Sequence, residues 1–299
     1  MRNLLYIGVA LLLILFASSC DKFSWRESYR YDNDQPYDLY ALYQLLDARE
    51  ADLTLNKDTL GVLLADSIQG SNYVFAGHNA FLEETDVTAL LNFVEHGNSA
   101  FLFTKQIPED LSYHFFGPDC FYFTTSGYYD DVSYHYADTI DVKFTQKNLL
   151  PDTSFRTSFV YDFRTNQHGW VYVDSARICD LNYGVEVLSV IDTGQINLMR
   201  LGWGKGYLYL CTSPELVTNY YLSDSSRYQF GQAVFSYLEP GPVFWDEYAR
   251  TYRPPPPPKN NANQPRYNPN GGKQFLTDNH ALRYILDQPM LSFAWYLFV

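Results

Sequence analysis

A strand–helix–strand pattern between residues 73 and 103 constrains the fold of this 299-residue chain more than any other feature. Residues 73–76 and 100–103 are short apolar runs, typical of parallel strands buried on both faces of a sheet. Between them a helix is predicted over residues 85–97, with Thr85 as its cap and Gly97 as its end. Its apolar stripe comprises Val87, Leu90, Leu91 and Val94. The pattern predicts a βαβ unit with a right-handed crossover.

Three further segments extend this unit. Residues 61–65 form another apolar run, which predicts one more buried strand of the parallel sheet. An amphipathic helix is predicted where Leu39, Leu42, Tyr43 and Leu46 recur at helical spacing. A second helix near residues 228–238 closes the domain before a Pro-Gly-Pro sequence. We therefore place an α/β domain at residues 36–252.

The middle of the chain has a different pattern. From about residue 113 to residue 205, short aromatic-rich segments alternate with Asp, Ser, Thr and Gly, which predicts an antiparallel β-rich insertion. Tyr (27 residues) and Phe (21 residues) are abundant in the chain, as pleated strands with large packed rings require. Residues 197–201 and 206–210 flank a glycine-containing turn and predict a hairpin. Other predicted strands include residues 121–123, 159–161, 170–173 and 185–188.

The N-terminus predicts export. Arg2 precedes an apolar run over residues 4–17, which is shorter than a bilayer-spanning helix and ends in small residues, so residues 1–19 are predicted to be a signal peptide. Cys20 follows as in a bacterial lipobox, although Ala17 stands where Leu is usual. We predict lipidation of Cys20, with residues 20–35 as a tether. The alternative is an uncleaved N-terminal anchor, and both place the domain outside the cytoplasm.

The C-terminal region predicts a second approach to the membrane. Residues 254–258 are five consecutive prolines within a Pro-, Asn- and Gly-rich linker at residues 253–274. Residues 275–299 become apolar and are predicted to be a juxtamembrane segment that begins a transmembrane helix. Localisation at the periplasmic side of the cell membrane follows from both ends.

Charge excludes one class of partner. The net charge is −13, and an acidic surface of this size repels the phosphates of nucleic acids. We therefore expect no nucleic-acid partner. Beyond Cys20 the chain has three widely spaced cysteines, which form neither a disulfide framework nor a metal pattern. Cys211 is predicted to be a buried thiol, and a bridge between Cys120 and Cys179 is left open.

Several landmarks, taken in order, resemble the domain-of-unknown-function family 4350 in its Bacteroidetes form. No single landmark is specific, but their order is. They are Trp25, Tyr29 and residues 32–37 before the helix at 39–46; residues 86–98; residues 204–206, Ser213, Pro214 and residues 218–222; and residues 243–248 and 282–286.

The resemblance implies a parallel-sheet core of the flavodoxin or class I glutamine amidotransferase type, without the catalytic residues. It also implies a transmembrane helix and gene neighbours that encode MoxR-type AAA+ ATPases. On this basis we expect a non-catalytic interaction or ligand-sensing domain of a cell-envelope complex, with protein partners in the membrane. The alternative is an envelope hydrolase that acts on carbohydrate or peptide.

Candidate catalytic residues are weak. An amidotransferase needs a cysteine on a strand-to-helix turn and an activating His, but residues 101–104 lead into Lys105. Lys105 is predicted to be a hydrated charge without a base or oxyanion partner, and therefore not a nucleophile. Ser67 and Cys120 have equally weak claims. We expect no catalytic residue and no cofactor, with Lys105 as a possible binding residue.

Three other groups of residues are candidates for binding sites. Asp130, Asp131, His135 and Asp138 lack the glycine and bidentate Glu of a calcium loop, so no metal is expected there. Glycines 202, 204 and 206 lie in a hairpin and not before a helix, so no phosphate loop is expected. The aromatic residues Tyr128, Tyr129, Tyr134 and Tyr136 could bind a sugar or peptide, although aromatic residues in β-rich domains more often fill the core.

The two functional alternatives predict different sites. Acidic and His side chains converging in a pocket would favour the hydrolase. A shallow site lined by backbone and hydrophobic groups would favour the binding domain.

Overall fold

The computed structural model describes residues 24–49, 52–64, 69–116, 132–145, 154–175, 178 and 184–252. The signal peptide, Cys20, the linker and residues 275–299 lie outside the described residues. So do Ser67, Cys120, Cys179, Tyr128 and Tyr129, and also Asp130, Asp131 and the strand predicted at residues 121–123. Within the described ranges, no helix has both the length and the apolar character needed to cross a bilayer.

The described residues form six α-helices, one 3-10 turn and thirteen strands. The helices are α1 (Tyr40–Asp47), α2 (Leu60–Leu63), α3 (Glu84–Glu95), α4 (Glu109–Phe116), α5 (Asn219–Leu222) and α6 (Gln229–Phe235), and the 3-10 turn is Pro214–Val217. The strands are β1 (Leu53–Asn56), β2 (Asn72–Asn79), β3 (Ser99–Gln106), β4 (Ser133–Ala137), β5 (Thr139–Phe144), β6 (Ser154–Ser158), β7 (Val160–Tyr161), β8 (Arg164–Thr165), β9 (His168–Tyr172), β10 (Val185–Ile191), β11 (Gln195–Trp203), β12 (Gly206–Cys211) and β13 (Val243–Asp246).

Nine strands make one large mixed sheet in the order β1-β13-β2-β3-β12-β11-β10-β5-β6. The first five strands in this order pair in parallel, and the pairs from β12 to β6 are antiparallel. Two smaller antiparallel pairs, β4–β9 and β7–β8, lie outside this sheet. The protein is therefore a mixed α/β fold whose parallel part carries an antiparallel extension.

Helices cover both faces of the parallel strands. Alternate residues of β3 enter two separate cores: Phe101 and Phe103 join one, while Ala100 and Leu102 join the other. This division follows from the two-residue period of a strand. The first core also contains apolar residues of α1, α5 and α6, and the second contains those of α2, α3 and α4.

The predicted βαβ unit is confirmed. Strands β2 and β3 are parallel neighbours, and α3 connects them. All four residues of the predicted stripe are buried in the second core. The predicted cap was wrong, because α3 begins at Glu84 and the N-cap residue is Glu83. The backbone N–H of Glu83 donates to the Asp86 carboxylate at 3.4 Å, so Glu83 and Asp86 form the capping contact and Thr85 does not.

The strand predicted at residues 61–65 was also wrong. Residues Leu60–Leu63 form helix α2, in which Leu60 is buried and Val62 is exposed. One-sided burial is the mark of a short surface helix rather than of a central strand. Two strands that the pattern did not predict, β1 and β13, occupy that end of the sheet and pair in parallel.

The antiparallel character predicted for the middle of the chain is confirmed for its described part. Strands β7, β9 and β10 overlap the runs predicted at residues 159–161, 170–173 and 185–188. Strands β11 and β12 form the predicted hairpin. Gly204 in its turn has a φ of 60°, and a Cβ there would lie 2.6 Å from the backbone of Glu95 in α3. Only glycine fits this close approach.

Residues 24–35, expected to belong to a tether, instead pack against the domain. We call residues 24–39 the N-terminal strap. Trp25 and Tyr29 are buried in it. The buried Asp38 accepts hydrogen bonds from Ser28 Oγ at 2.5 Å and from the Arg30 backbone N–H at 2.8 Å. The polar composition and the lack of hydrophobic periodicity suggested a tether. The strap is held by isolated aromatic residues, and such anchors leave no periodic pattern in the sequence.

Replacing Leu91 tests the packing of α3. Leu91→Ala should lower the free energy of unfolding by about 2–5 kcal/mol, since a buried leucine leaves a cavity when truncated. Urea unfolding of the purified protein measures this change. Asn92→Ala is the matched control, because Asn92 is the exposed neighbour on the same helix. Equal stability of both variants and the wild type would show that the stripe carries no packing energy.

Candidate functional site

The candidate site lies where the chain changes faces of the parallel sheet. After β3 the chain continues into α4, whose Leu111 lies in the second core. After the neighbouring parallel strand β12 it enters the 3-10 turn, whose Leu216 lies in the first core. Open α/β sheets bind ligands outside the carboxyl ends of strands at such a switch point. The side chains at the carboxyl ends of β3 and β12 are therefore the first to consider.

Four ionisable side chains meet at this point, and we call them the charge cluster: Glu27, Lys105, His168 and Glu215. Lys105, near the end of β3, donates from Nζ to Glu27 Oε2 at 2.5 Å. The same Nζ lies 3.7 Å from Glu215 Oε2 and 3.5 Å from His168 Nε2. The lysine thus sits between two carboxylates and an imidazole.

His168 completes the cluster from β9. Its Nε2 lies 3.3 Å from Glu215 Oε1 and its Nδ1 lies 3.9 Å from Glu27 Oε1, so each ring nitrogen faces a different carboxylate. Phe159 stacks on the imidazole with ring centroids 3.9 Å apart, and Trp170 packs against it edge-on. These rings fix the orientation of the imidazole.

Burial increases from the strap inwards. The exposed side-chain fractions are 19% for Glu27, 11% for His168, 8% for Lys105 and zero for Glu215. Glu27 is the outermost member, and its Oε2 also accepts a hydrogen bond from Tyr29 Oη at 2.7 Å. The N-terminal strap therefore closes the cluster from the solvent side.

Electrostatics keeps the inner pair ionised. Burial lowers the pKa of Lys105, but the carboxylates of Glu215 and Glu27 outweigh it, and the pKa lies above its usual value. Burial raises the pKa of Glu215, but Lys105 and His168 outweigh it, and the pKa lies below its usual value. Glu215 Oε2 has no hydrogen-bond partner within the described structure, so charge attraction to Lys105 is its main compensation.

Sequence reasoning selected Lys105 but misjudged its surroundings. The lysine was expected to be hydrated and unpartnered, and it is buried and ion-paired. Glu27, His168 and Glu215 were missed. Glu27 lies 78 positions from Lys105 and His168 lies 63 positions away, so no local spacing connects them. The nearest signal in the sequence is the family landmark formed by Ser213 and Pro214, which directly precedes Glu215.

The tyrosine pair, Tyr134 and Tyr136, forms a second surface. Both lie on β4 with 53% and 66% of their surface exposed, and their ring centroids are 6.3 Å apart at 24°. Gly169 on β9 lies opposite, and a Cβ there would be 3.2 Å from Tyr136 Cε1 and 3.4 Å from Tyr134 Cδ1. Both rings therefore lie over the glycine.

The residues considered for a metal do not converge where the structure describes them. His135 Nε2 lies 2.7 Å from Asp192 Oδ2, a partner outside the predicted set. Within the described ranges, no group of three His, Cys, Asp or Glu side chains is suited to hold a metal ion. Cys211 is buried as predicted, and burial raises the pKa of its thiol.

Comparison with known proteins identifies the family. Residues 31–234 match the family model described as a domain of unknown function, DUF4350. The chain belongs to the DUF4350 family. Lys105, His168 and Glu215 lie within the matched part of this DUF4350 protein, and Glu27 lies just before it.

Other comparisons add little. No match was found among curated proteins. One similar solved structure is the exo-β-1,4-mannosidase Op5Man5 from Opitutaceae bacterium strain TAV5, at 10% identity and a TM-score of 0.35. The match covers 72% of this chain and 34% of that chain, so the DUF4350 protein spans about one third of its length. A likeness at this level carries no argument about fold or activity.

Removing the lysine tests the electrostatics of the cluster. At neutral pH, Lys105→Met should cost about 3–5 kcal/mol of unfolding free energy, because it leaves a buried carboxylate without its cation. The cost should shrink as the pH falls. In the wild type the pKa of Glu215 is lower in the folded protein than in the unfolded chain, where it is about 4.3, so ionised Glu215 stabilises the fold above that pH. Without Lys105, burial raises the pKa of Glu215 in the folded protein, so protonation at low pH stabilises the variant.

Urea unfolding at several pH values between about 4.5 and 8 measures how the cost of Lys105→Met depends on pH. The exposed Lys57 supplies the control, and Lys57→Met should change stability little at any pH. Lys105→Met/Glu215→Gln should recover part of the loss. A pH-independent cost, or none, would contradict the ion-pair interpretation.

Proposed function

We propose that this DUF4350 protein is a non-catalytic interaction or ligand-sensing module of a cell-envelope complex. The proposal rests on what occupies the switch point between β3 and β12. The position where an open α/β sheet would bind its ligand is filled by the protein's own charge cluster. Lys105 is held as a cation between two carboxylates, which removes the free amine that a nucleophile needs. The nearby Cys211 thiol is buried and its pKa is raised, which disfavours the reactive thiolate.

The proposal extends to the finer fold. A flavodoxin-like or glutamine amidotransferase-like core is supported by five neighbouring parallel strands with helices on both faces. The change of face between β3 and β12 fits the doubly wound arrangement. In this proposal the charge cluster replaces the catalytic residues that such a core carries in active amidotransferases.

The tyrosine pair is the contact surface that we propose for this module. Two neighbouring exposed tyrosines give a flat apolar area with hydroxyl groups, the residue type enriched in binding interfaces. Gly169 supports the arrangement, because a larger residue would push the rings away from the strand.

Location at the periplasmic face of the membrane is also a proposal. It rests on the signal-like segment, on Cys20 and on the apolar C-terminal residues. The resemblance to the family adds the association with MoxR-type ATPases. Metabolic labelling with an alkyne fatty acid tests the anchor, since it should tag the wild type and spare Cys20→Ser, while equal labelling would exclude a lipid on Cys20.

Substitution of the tyrosine pair tests the contact surface. Tyr134→Ala/Tyr136→Ala should weaken capture of membrane partners, because an aromatic anchor typically contributes about 2 kcal/mol or more. Quantitative mass spectrometry of proteins cross-linked to wild type and variant in native membranes measures this. Tyr161→Ala is the control, since Tyr161 is equally exposed on β7. Capture that both variants reduce equally, or not at all, would argue against this surface.

An envelope hydrolase acting on carbohydrate or peptide is the second candidate. One observation favours it: Glu27, Glu215 and His168 converge, and acid and His groups are the usual means of hydrolysis. The closure of the cluster opposes it, because Glu215 is fully buried and the pocket that a substrate would need is filled by Glu27.

Turnover measurements separate the two candidates. The purified protein should release no product from glutamine, nitrophenyl esters or peptidoglycan fragments above the buffer level. His168→Gln should leave this blank unchanged, because no proton transfer depends on His168 in a binding module. Turnover by the wild type that disappears in a folded His168→Gln variant would establish the hydrolase instead.

A further inference from the structure

We propose that Lys105, His168 and Tyr29 form a recognition site for a carboxylate group. In the folded chain Glu27 fills this site, and a carboxylate from outside the chain can take its place. The inference rests on the proposed binding function, which it deepens by naming the chemistry of the ligand. The carboxylate is that of an acidic side chain, a peptide C-terminus or a small organic acid.

The contacts of Glu27 describe such a site. Its Oε2 accepts hydrogen bonds from Lys105 Nζ at 2.5 Å and from Tyr29 Oη at 2.7 Å, and its Oε1 faces His168 Nδ1 at 3.9 Å. Two donors and a facing imidazole therefore surround one carboxylate. Charge-assisted hydrogen bonds of this kind are the strong ones in proteins.

Glu215 holds Lys105 and His168 in position. It is fully buried behind Lys105 and His168, and its Oε2 lacks a hydrogen-bond partner within the described structure. It attracts the Lys105 ammonium from the interior and lies 3.3 Å from His168 Nε2. Because Glu215 contacts both Lys105 and His168 from the interior, these two side chains keep a partner when Glu27 leaves. Glu215 is thus a positioning residue.

Glu27 is the member that can exchange. It is the outermost residue of the cluster, with 19% of its side chain exposed, so its carboxylate has a route to solvent. The strap around it stays attached, because Trp25 packs against Phe163 and Tyr220, which lie outside the strap, and Tyr29 is buried. A rotation of one side chain opens the site without unfolding the strap.

Competition within the chain has a predictable effect on affinity. A ligand for a site that is open only part of the time binds more weakly by the open fraction. An external carboxylate should therefore bind at least about tenfold more tightly once Glu27 is removed. Because the ligand and Glu27 compete for one site, binding of the ligand displaces the Glu27 side chain.

Chemical rescue tests the site. Glu27→Gly should lower the thermal unfolding temperature of the purified full-length protein, and sodium formate or acetate should restore it with saturation. Sodium chloride at equal ionic strength should not. The wild type should show no saturable increase. Asp34→Gly is the matched control, because it removes an exposed carboxylate from the same strap.

Two further variants keep the test decisive. Lys105→Met/Glu27→Gly should lose the rescue, because the main donor is gone. Should Glu27→Gly not fold, Glu27→Ala is used instead, and acetate binding is measured by calorimetry against the wild type. Rescue that is equal in all variants, or absent in both Glu27 variants, would overturn the proposal.

Peptide probes distinguish the sources of the carboxylate. A capped peptide with one Glu, the same peptide with Gln, and a Gln peptide with a free C-terminus are compared for binding to the Glu27 variant. Binding of either carboxylate peptide and not of the capped Gln peptide supports the site. Equal binding of all three contradicts it. A positive rescue together with His168-dependent turnover would support the carboxylate site while refuting the non-catalytic function.

Discussion

The structure depends on the neutralisation of one buried lysine, Lys105. It lies at the switch point, where the connections after β3 and after β12 cover opposite faces of the parallel sheet. Lys105 lies near the end of β3, Glu215 follows β12, and Glu27 comes from a segment that precedes the whole sheet. A lone ammonium at this depth would be strongly destabilising, and so would a lone carboxylate at the position of Glu215. Each charge therefore requires the other, and the cluster ties the strap, the parallel strands and the separate β4–β9 pair together.

This requirement also explains why the strap is part of the domain. Glu27 contributes to the neutralisation of Lys105, while Trp25 and Tyr29, two residues before and two residues after Glu27 in the chain, are buried. A segment that supplies both an ion-pair partner and apolar anchors cannot detach without exposing charge and aromatic surface together. The same arrangement leaves Glu27 itself nearest to solvent, which makes the cluster a closed site with one exchangeable member.

We propose two kinds of recognition for this protein, one at the charge cluster and one at the tyrosine pair. The cluster is small, buried and specific for charge, and its chemistry suits a single carboxylate. The tyrosine pair is open and suits a flat, partly apolar contact. Both involve strand β9, since His168 belongs to the cluster and Gly169 lies beneath the tyrosines. The two surfaces are therefore built on adjacent residues of one strand.

The sequence by itself determined the βαβ unit, the β11–β12 hairpin and the buried stripe of α3, because their signals are local periodicities and turn residues. It also identified the family through the order of its landmarks. Only the tertiary structure decided that residues 61–63 are helical, that β1 and β13 complete the sheet, and that the strap is packed. The charge cluster belongs to this second group. Glu27, Lys105, His168 and Glu215 are far apart in the chain, and a lysine's surroundings are set by burial and long-range pairing, which no local pattern records.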